Sequence, residues 1–259
     1  MDLNHRRFGS GPPLVLLHGI GMRWQWWTPV LDALAERHEV WALDHPGFGD
    51  SPALAEEPTI GAHASAVEAF MRTHEISGAA VAGISMGGWI SLELAKRGSV
   101  SAAVACSPAG FWEGWEGPYA RGSLRATYAL VRAMAPVADT LTATAGARVA
   151  LFSQVLGRPA RLPGPEAAGA VRAIASSDFL RTMKAFAYDR FSGGESVAVP
   201  VTVAWGTRDR LLLPWQAARA EREVRGARVV RMPGCGHVAT WDDPELMARV
   251  VLEGAGAAS

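Results

Sequence analysis

The chain has 259 residues, 49% of them hydrophobic and 19% charged, and its 25 basic residues balance 25 acidic ones. That is enough apolar material for a sizeable core, in one large domain or two small ones, and there is no basic run to hold nucleic acid or an anionic membrane surface. No apolar stretch approaches the roughly 20 residues of a membrane span, and two cysteines, Cys106 and Cys235, make no disulfide framework and read as small buried thiols.

In chain order, short apolar runs alternate with helical segments. The opening MDLNHRRFGSGPP lacks the apolar core of a secretory signal, so a cytoplasmic location is expected. LVLLH (14–18) and VWALD (40–44) read as strands, with helices near 28–37 and 60–74. His63 and His74 fall on the second of these helices, where exposed positions are expected. AAVAGI (79–84) is too short for a helix and reads as a third strand. A mostly apolar helix at 86–97 follows, closed by Lys96, Arg97 and Gly98, a basic last turn and a glycine stop. SAAVAC (101–106), VTVAW (201–205) and ARVVRM (227–232) bring the strands to six, with helices near 214–225 and 243–253. Pro214 and Pro244 sit near the starts of those two, where a missing N–H costs nothing. Val, Ala and Leu fill the strands without clean alternation, as in a parallel sheet covered on both faces. The expected fold is therefore α/β, a mostly parallel central sheet flanked by helices. Residues 111–196 break the rhythm with no convincing strand, much Ala and Arg, and apolar residues at helical spacing, as in LRATYALVRAM (124–134). They read as a helical cap inserted between two strands of a core made of 1–110 and 197–259.

Ser85 stands where the third strand stops and its helix begins, inside Gly83-Ile84-Ser85-Met86-Gly87. In a chain with 28 glycines, Gly-x-Ser-x-Gly alone is a weak signal. Between a strand and a helix it has a mechanism: the chain turns so sharply that residues two away must lack bulk, and the strain holds the hydroxyl out into a cleft. Serine is a poor nucleophile at neutral pH and needs a histidine base oriented by a carboxylate. Of seven histidines, His237 lies in PGCGHVATWDDP, a glycine-rich loop between the last strand and the last helix. Such a loop can place an imidazole over the carboxyl ends of the strands, where open α/β sheets bind ligands. WGTRDRLLLP puts Asp209 on the equivalent loop after VTVAW, whereas Asp242 and Asp243 suit helix capping. The order Ser85, Asp209, His237 is that of the nucleophile elbow's own triad. An oxyanion would need two backbone N–H groups. Met86, just after the serine, is one candidate, and Ile20, in HGIGMRWQWW (18–27), is the other, with His18 and Gly19 shaping the turn.

Five motifs stand in sequence: LLHGIG (16–21), DHPGFGDS (44–51), GISMGG (83–88), WGTRDRLLLP (205–214) and GCGHVATWDDP (234–244). Together they resemble the α/β-hydrolases over nearly the whole chain. The resemblance implies a serine hydrolase working through an acyl-enzyme without a cofactor, and gives Asp44, Gly47, Gly49 and Ser51 a mostly structural loop. Ser85 departs from the aspartate of the family's dehalogenases and epoxide hydrolases. Ile84 and Val238 stand where its C–C hydrolases usually have asparagine and tryptophan, and its hydroxynitrile lyases tend to have lysine in place of Val238. A carboxylic ester is thus the leading substrate, with C–C, thioester or lactone cleavage, or a slow-turnover small-molecule receptor, as alternatives.

Aromatic residues suggest where that substrate would lie. Trp24, Trp26 and Trp27 follow the Ile20 loop, and Phe111, Trp112 and Trp115 open the cap. They would pack core against cap, and the same wall would line an apolar cleft between them. The expected partner is a small apolar ester, with the chain a monomer or homodimer. Arg121, Arg125 and Arg132 read as a solvated helix face, a substrate carboxylate being the alternative. No cluster of His, Cys and carboxylates has ligand spacing, so no metal is expected.

Overall fold

A computed structural model describes residues 2–186 and 188–256. Its centre is a seven-stranded sheet of β1 (His5–Phe8), β2 (Pro13–Leu17), β3 (Glu39–Leu43), β4 (Ala80–Ile84), β5 (Ala103–Cys106), β6 (Val201–Gly206) and β7 (Arg228–Met232), in the order β1-β3-β2-β4-β5-β6-β7. Every pairing is parallel except β1 with β3. The four-residue β1, HRRF, adds a strand that no apolar run announces, because it is a half-solvated edge. The opposite edge, β7, carries Arg228 and Arg231, and charge of this kind discourages edge pairing with another chain.

Strand side chains alternate between two cores, Val15 and Leu17 facing one and Leu14 and Leu16 the other. The first core is closed by α2 (Ile60–Thr73), α3 (Met86–Lys96) and α9 (Ala217–Glu223), the second by α1 (Thr28–Ala35) and α11 (Pro244–Ala255). The predicted last helix is α11, and a short helix, α10 (Ala239–Asp242), precedes it. Asp243 between them has φ −150° and ψ 81°, as befits a residue before proline, and its carboxylate caps Leu246 N–H. Likewise Pro214 begins a short 3₁₀ turn ahead of α9.

Among the described residues five α-helices lie between β5 and β6: α4 (Glu116–Met134), α5 (Ala138–Thr142), α6 (Ala145–Phe152), α7 (Gly164–Ser176) and α8 (Phe179–Phe186). Their stripes are amphipathic, and in α8 Phe179, Thr182, Met183 and Phe186 are buried at i, i+3, i+4 and i+7. Register fixes what this helical layer faces. Leu17 pairs with Gly83, Ile84 with Cys106, Cys106 with Ala204 and Gly206 with Met232. The segments leaving β2, β4, β6 and β7 therefore emerge at one edge of the sheet, beneath the five helices. Among the described residues no helix is long and apolar enough to cross a membrane.

Candidate active site

Ser85 joins β4 to α3 with φ 58° and ψ −115°, a left-handed backbone that residues with side chains adopt only under strain. Crowding accounts for its glycines. A Cβ on Gly83 would lie 2.1 Å from the Gly87 carbonyl oxygen, and one on Gly87 would lie 2.3 Å from that of Leu17. The turn is held by hydrogen bonds, Ser85 N–H donating to Cys106 O (2.9 Å) and Ser85 O accepting from Ala109 N–H (3.1 Å). Neither the Ile20 nor the Met86 amide has a hydrogen-bond partner among the described residues, and both residues line the cavity in front of Ser85.

His237 and Asp209 arrive on the loops after β7 and β6 and are almost fully buried. His237 Nδ1–H donates to Asp209 Oδ2 at 2.8 Å, since a carboxylate only accepts. The other carboxylate oxygen, Oδ1, accepts from the Leu211 and Leu212 amides, both at 2.9 Å. The other ring nitrogen, Nε2, is buried without a partner among the described residues. Ser85 and His237 line one cavity, but no hydrogen bond joins them. Such bonds often tighten only with substrate in place.

Two apolar cavities meet at Ser85. The larger, about 700 Å³, is walled by Trp26, Leu151, Phe152, Phe179 and His237. The smaller, about 430 Å³, is walled by Trp112, Ala120, Met183 and Phe186. Ile20, Leu124 and Leu211 belong to both. Of the aromatic residues expected at the cleft, Trp26 and Trp112 are in a wall, whereas Trp24, Trp27, Phe111 and Trp115 line neither cavity. Trp24 to Trp27 form a 3₁₀ turn that directs Trp26 to the cavity, sinks Trp27 into the core and leaves Trp24 against Phe8. Phe111 packs on Phe191 in the core, and Trp115 is 62% exposed beside Tyr119. Sequence spacing could not tell these faces apart, because the segment is neither a strand nor an α-helix. Arg121 does reach the smaller cavity, its guanidinium 4.5 Å from the Tyr188 ring, while Arg125 and Arg132 border an open depression elsewhere.

Three groups around the site have structural explanations. Asp44 accepts from Asn4 Nδ2 (2.6 Å), Trp24 N–H (2.7 Å) and Asp50 N–H (3.1 Å), and a Cβ on Gly49 would strike its carboxylate. Asp242 is fully buried and caps no helix. It accepts from the amides of Gly157, Arg158 and Gly236, each at 2.7 Å, and so ties the helical layer to the loop of His237. His63, expected at the surface, is fully buried with His45 and His18. The His18 and His45 rings lie 4.7 Å apart, and those of His45 and His63 5.5 Å apart. Burial lowers the pKa of all three, that of His63 to about 3. Cys106 and Cys235 are free, buried thiols, pushed up to about 12 chiefly by that burial. One set of side chains among the described residues, Asp2, His5 and His74, brings metal-competent atoms within 4.8 Å of one another; none of the three lines either cavity at Ser85.

A serine on a strained strand-to-helix turn, under helices inserted between two parallel strands, defines a class of enzyme fold. Residues 14–250 match the model of the alpha/beta hydrolase family, and the chain belongs to that family. It is 30% identical over 245 residues to the dihydrolipoyllysine-residue acetyltransferase component of an acetoin cleaving system from Cupriavidus necator, covering 90% of this chain and 60% of that longer protein. A shorter match, 50% identical over 56 residues and 22% of each chain, is to the pimeloyl-[acyl-carrier protein] methyl ester esterase of Aeromonas hydrophila. Among solved structures, the enol-lactonase from Burkholderia xenovorans superposes with a TM-score of 0.77 at 22% identity, over 98% of this chain and 96% of that one. The chain spans less than two thirds of the length of the two curated relatives.

Proposed function

We propose that the chain hydrolyses carboxylic esters of small apolar molecules through Ser85, His237 and Asp209, with 111–196 as a cap over the site. One observation carries this reading: an unpartnered, buried His237 Nε2, backed by Asp209, shares an apolar cavity with a serine on a strained turn. In this reading His237 Nε2 takes the Ser85 Oγ proton as Oγ bonds to the acyl carbon, and the oxyanion lies against the Ile20 and Met86 amides. The same nitrogen then returns the proton to the ester oxygen as the C–O bond breaks and the alcohol leaves. Water next gives a proton to Nε2 and adds to the acyl carbon, and Ser85 recovers its proton as the acid departs. The short stretch shared with a methyl ester esterase and the apolar walls both favour an ester.

The test is labelling by a fluorophosphonate probe together with turnover of p-nitrophenyl acetate, in the wild type and in Ser85→Ala. Both signals are expected in the wild type and neither in the variant, whose fold should survive loss of one hydroxyl. Labelling without turnover would replace the ester reading with a binding role.

A further inference from the structure

One face of α4 roofs both cavities. Gly117 and Ala120 line the smaller, Thr127 and Val131 the larger, and Leu124 lines both, as does Ser85. The spacing of 3, 4, 3 and 4 keeps all five on one helix face, and from Gly117 to Val131 that face runs about 21 Å. The substrate space is thus one long trough divided at Ser85, and its two arms are chemically unequal. His237 lines only the larger arm.

We infer that the larger arm holds the alcohol half of the ester and the smaller arm the acyl half. The inference rests on the roles given to Ser85 and His237 above. When the tetrahedral adduct collapses, the bond that breaks joins the acyl carbon to the alkoxy oxygen, and the proton that oxygen needs sits on His237 Nε2. The alkoxy oxygen must therefore lie toward His237, and whatever it carries continues into the arm that His237 lines. The carbonyl oxygen is taken up by the Ile20 and Met86 amides. The remaining substituent, the acyl chain, points away from the general acid, past Met86 and Ala120, into the arm of about 430 Å³. The arm of about 700 Å³ is left for the alcohol. Selectivity should accordingly favour esters of large alcohols over esters of large acids.

Octyl acetate and methyl nonanoate test this, being isomers whose ester groups differ little in intrinsic reactivity. Their kcat/KM ratio, measured on one enzyme sample, does not depend on the fraction of molecules that folded. The wild type should prefer octyl acetate. Thr127→Leu, which fills the larger arm, should lower the ratio about tenfold, and Ala120→Leu, which fills the smaller, should raise it about as much, the worth of roughly two displaced methylenes. A wild-type preference for methyl nonanoate, opposite shifts in the variants, or ratios that do not move would overturn the assignment of arms. Absence of p-nitrophenyl acetate turnover in the wild type would instead sink the ester reading itself, so the two failures are distinct.

Discussion

Asp209 carries more of the candidate site than its single contact with His237 suggests. Its carboxylate accepts three hydrogen bonds at 2.8–2.9 Å, two from backbone amides that fix it and one from His237 that sets the tautomer. In Asp209→Asn an amide NH₂ would face either those amides or Nδ1–H, donor against donor. By analogy with other triads we predict a loss of about 10⁴ in kcat, measured with p-nitrophenyl acetate, with little change in fold. A loss below tenfold would remove Asp209 from the orienting role. Ser85, His237 and Asp209 were legible because strand-end loops and a glycine-flanked serine leave marks in sequence, and register then gathers them at one sheet edge. The cavity walls were not. Trp26 and Trp27 are neighbours in sequence, yet one lines the larger cavity and the other is core. A 3₁₀ turn has no apolar period from which to read its faces.

Elements show the same division. Runs such as VTVAW and AAVAGI mark the central strands, since both faces of the sheet are covered, while the polar edge β1 gives no such mark. The helical character of the segment between β5 and β6 follows from spacing, but how its helices dock does not, because docking runs through Asp242, which proximity to α11 disguises as a cap. Its carboxylate joins Gly157 and Arg158 of the helical layer to Gly236, the residue before His237, and Val238 N–H adds a bond to Val155 O at 2.9 Å. The two segments touch so closely that a Cβ on Gly236 would lie 2.6 Å from the Gly157 nitrogen. Asp242→Asn replaces one accepting oxygen with a donor and leaves at least one buried amide unmatched. We predict a loss of about 2–3 kcal/mol in unfolding free energy, read from urea titration. We also predict a smaller loss of kcat/KM than Asp209→Asn causes, because Asp242 holds the loop without touching the imidazole. Unchanged stability, or a rate loss equal to that of Asp209→Asn, would reverse the two roles.

At the scale of the whole molecule, the buried histidines link the stability of the fold to pH. His18, His45 and His63 gather at the ends of β2 and β3 and on α2, with the His18 ring 5.7 Å and the His63 ring 6.4 Å from that of Phe48. Both nitrogens of His45 and of His63 lack partners among the described residues. Burial lowers all three pKa values. The other histidines add to the effect at His45 and His63, and the Asp44 carboxylate opposes it at His18. Unfolded, each imidazole titrates near 6.5. Above that pH both states hold them neutral and the cluster adds no pH dependence. Below it the unfolded chain binds protons that the folded chain refuses, so stability falls as pH falls, by up to about 1.4 kcal/mol per pH unit for each imidazole. For His63, whose folded value is about 3, the window runs from about 6.5 down to about 3. Carboxylates contribute in the lower part of that window, so the informative quantity is a difference between proteins. Unfolding free energies from urea titrations at pH 7, 6, 5 and 4 should fall less steeply in His63→Phe than in the wild type, the slopes differing by about one bound proton between pH 6 and 4. Parallel curves for the two proteins would show that His63 is protonated as readily in the folded chain as in the unfolded one.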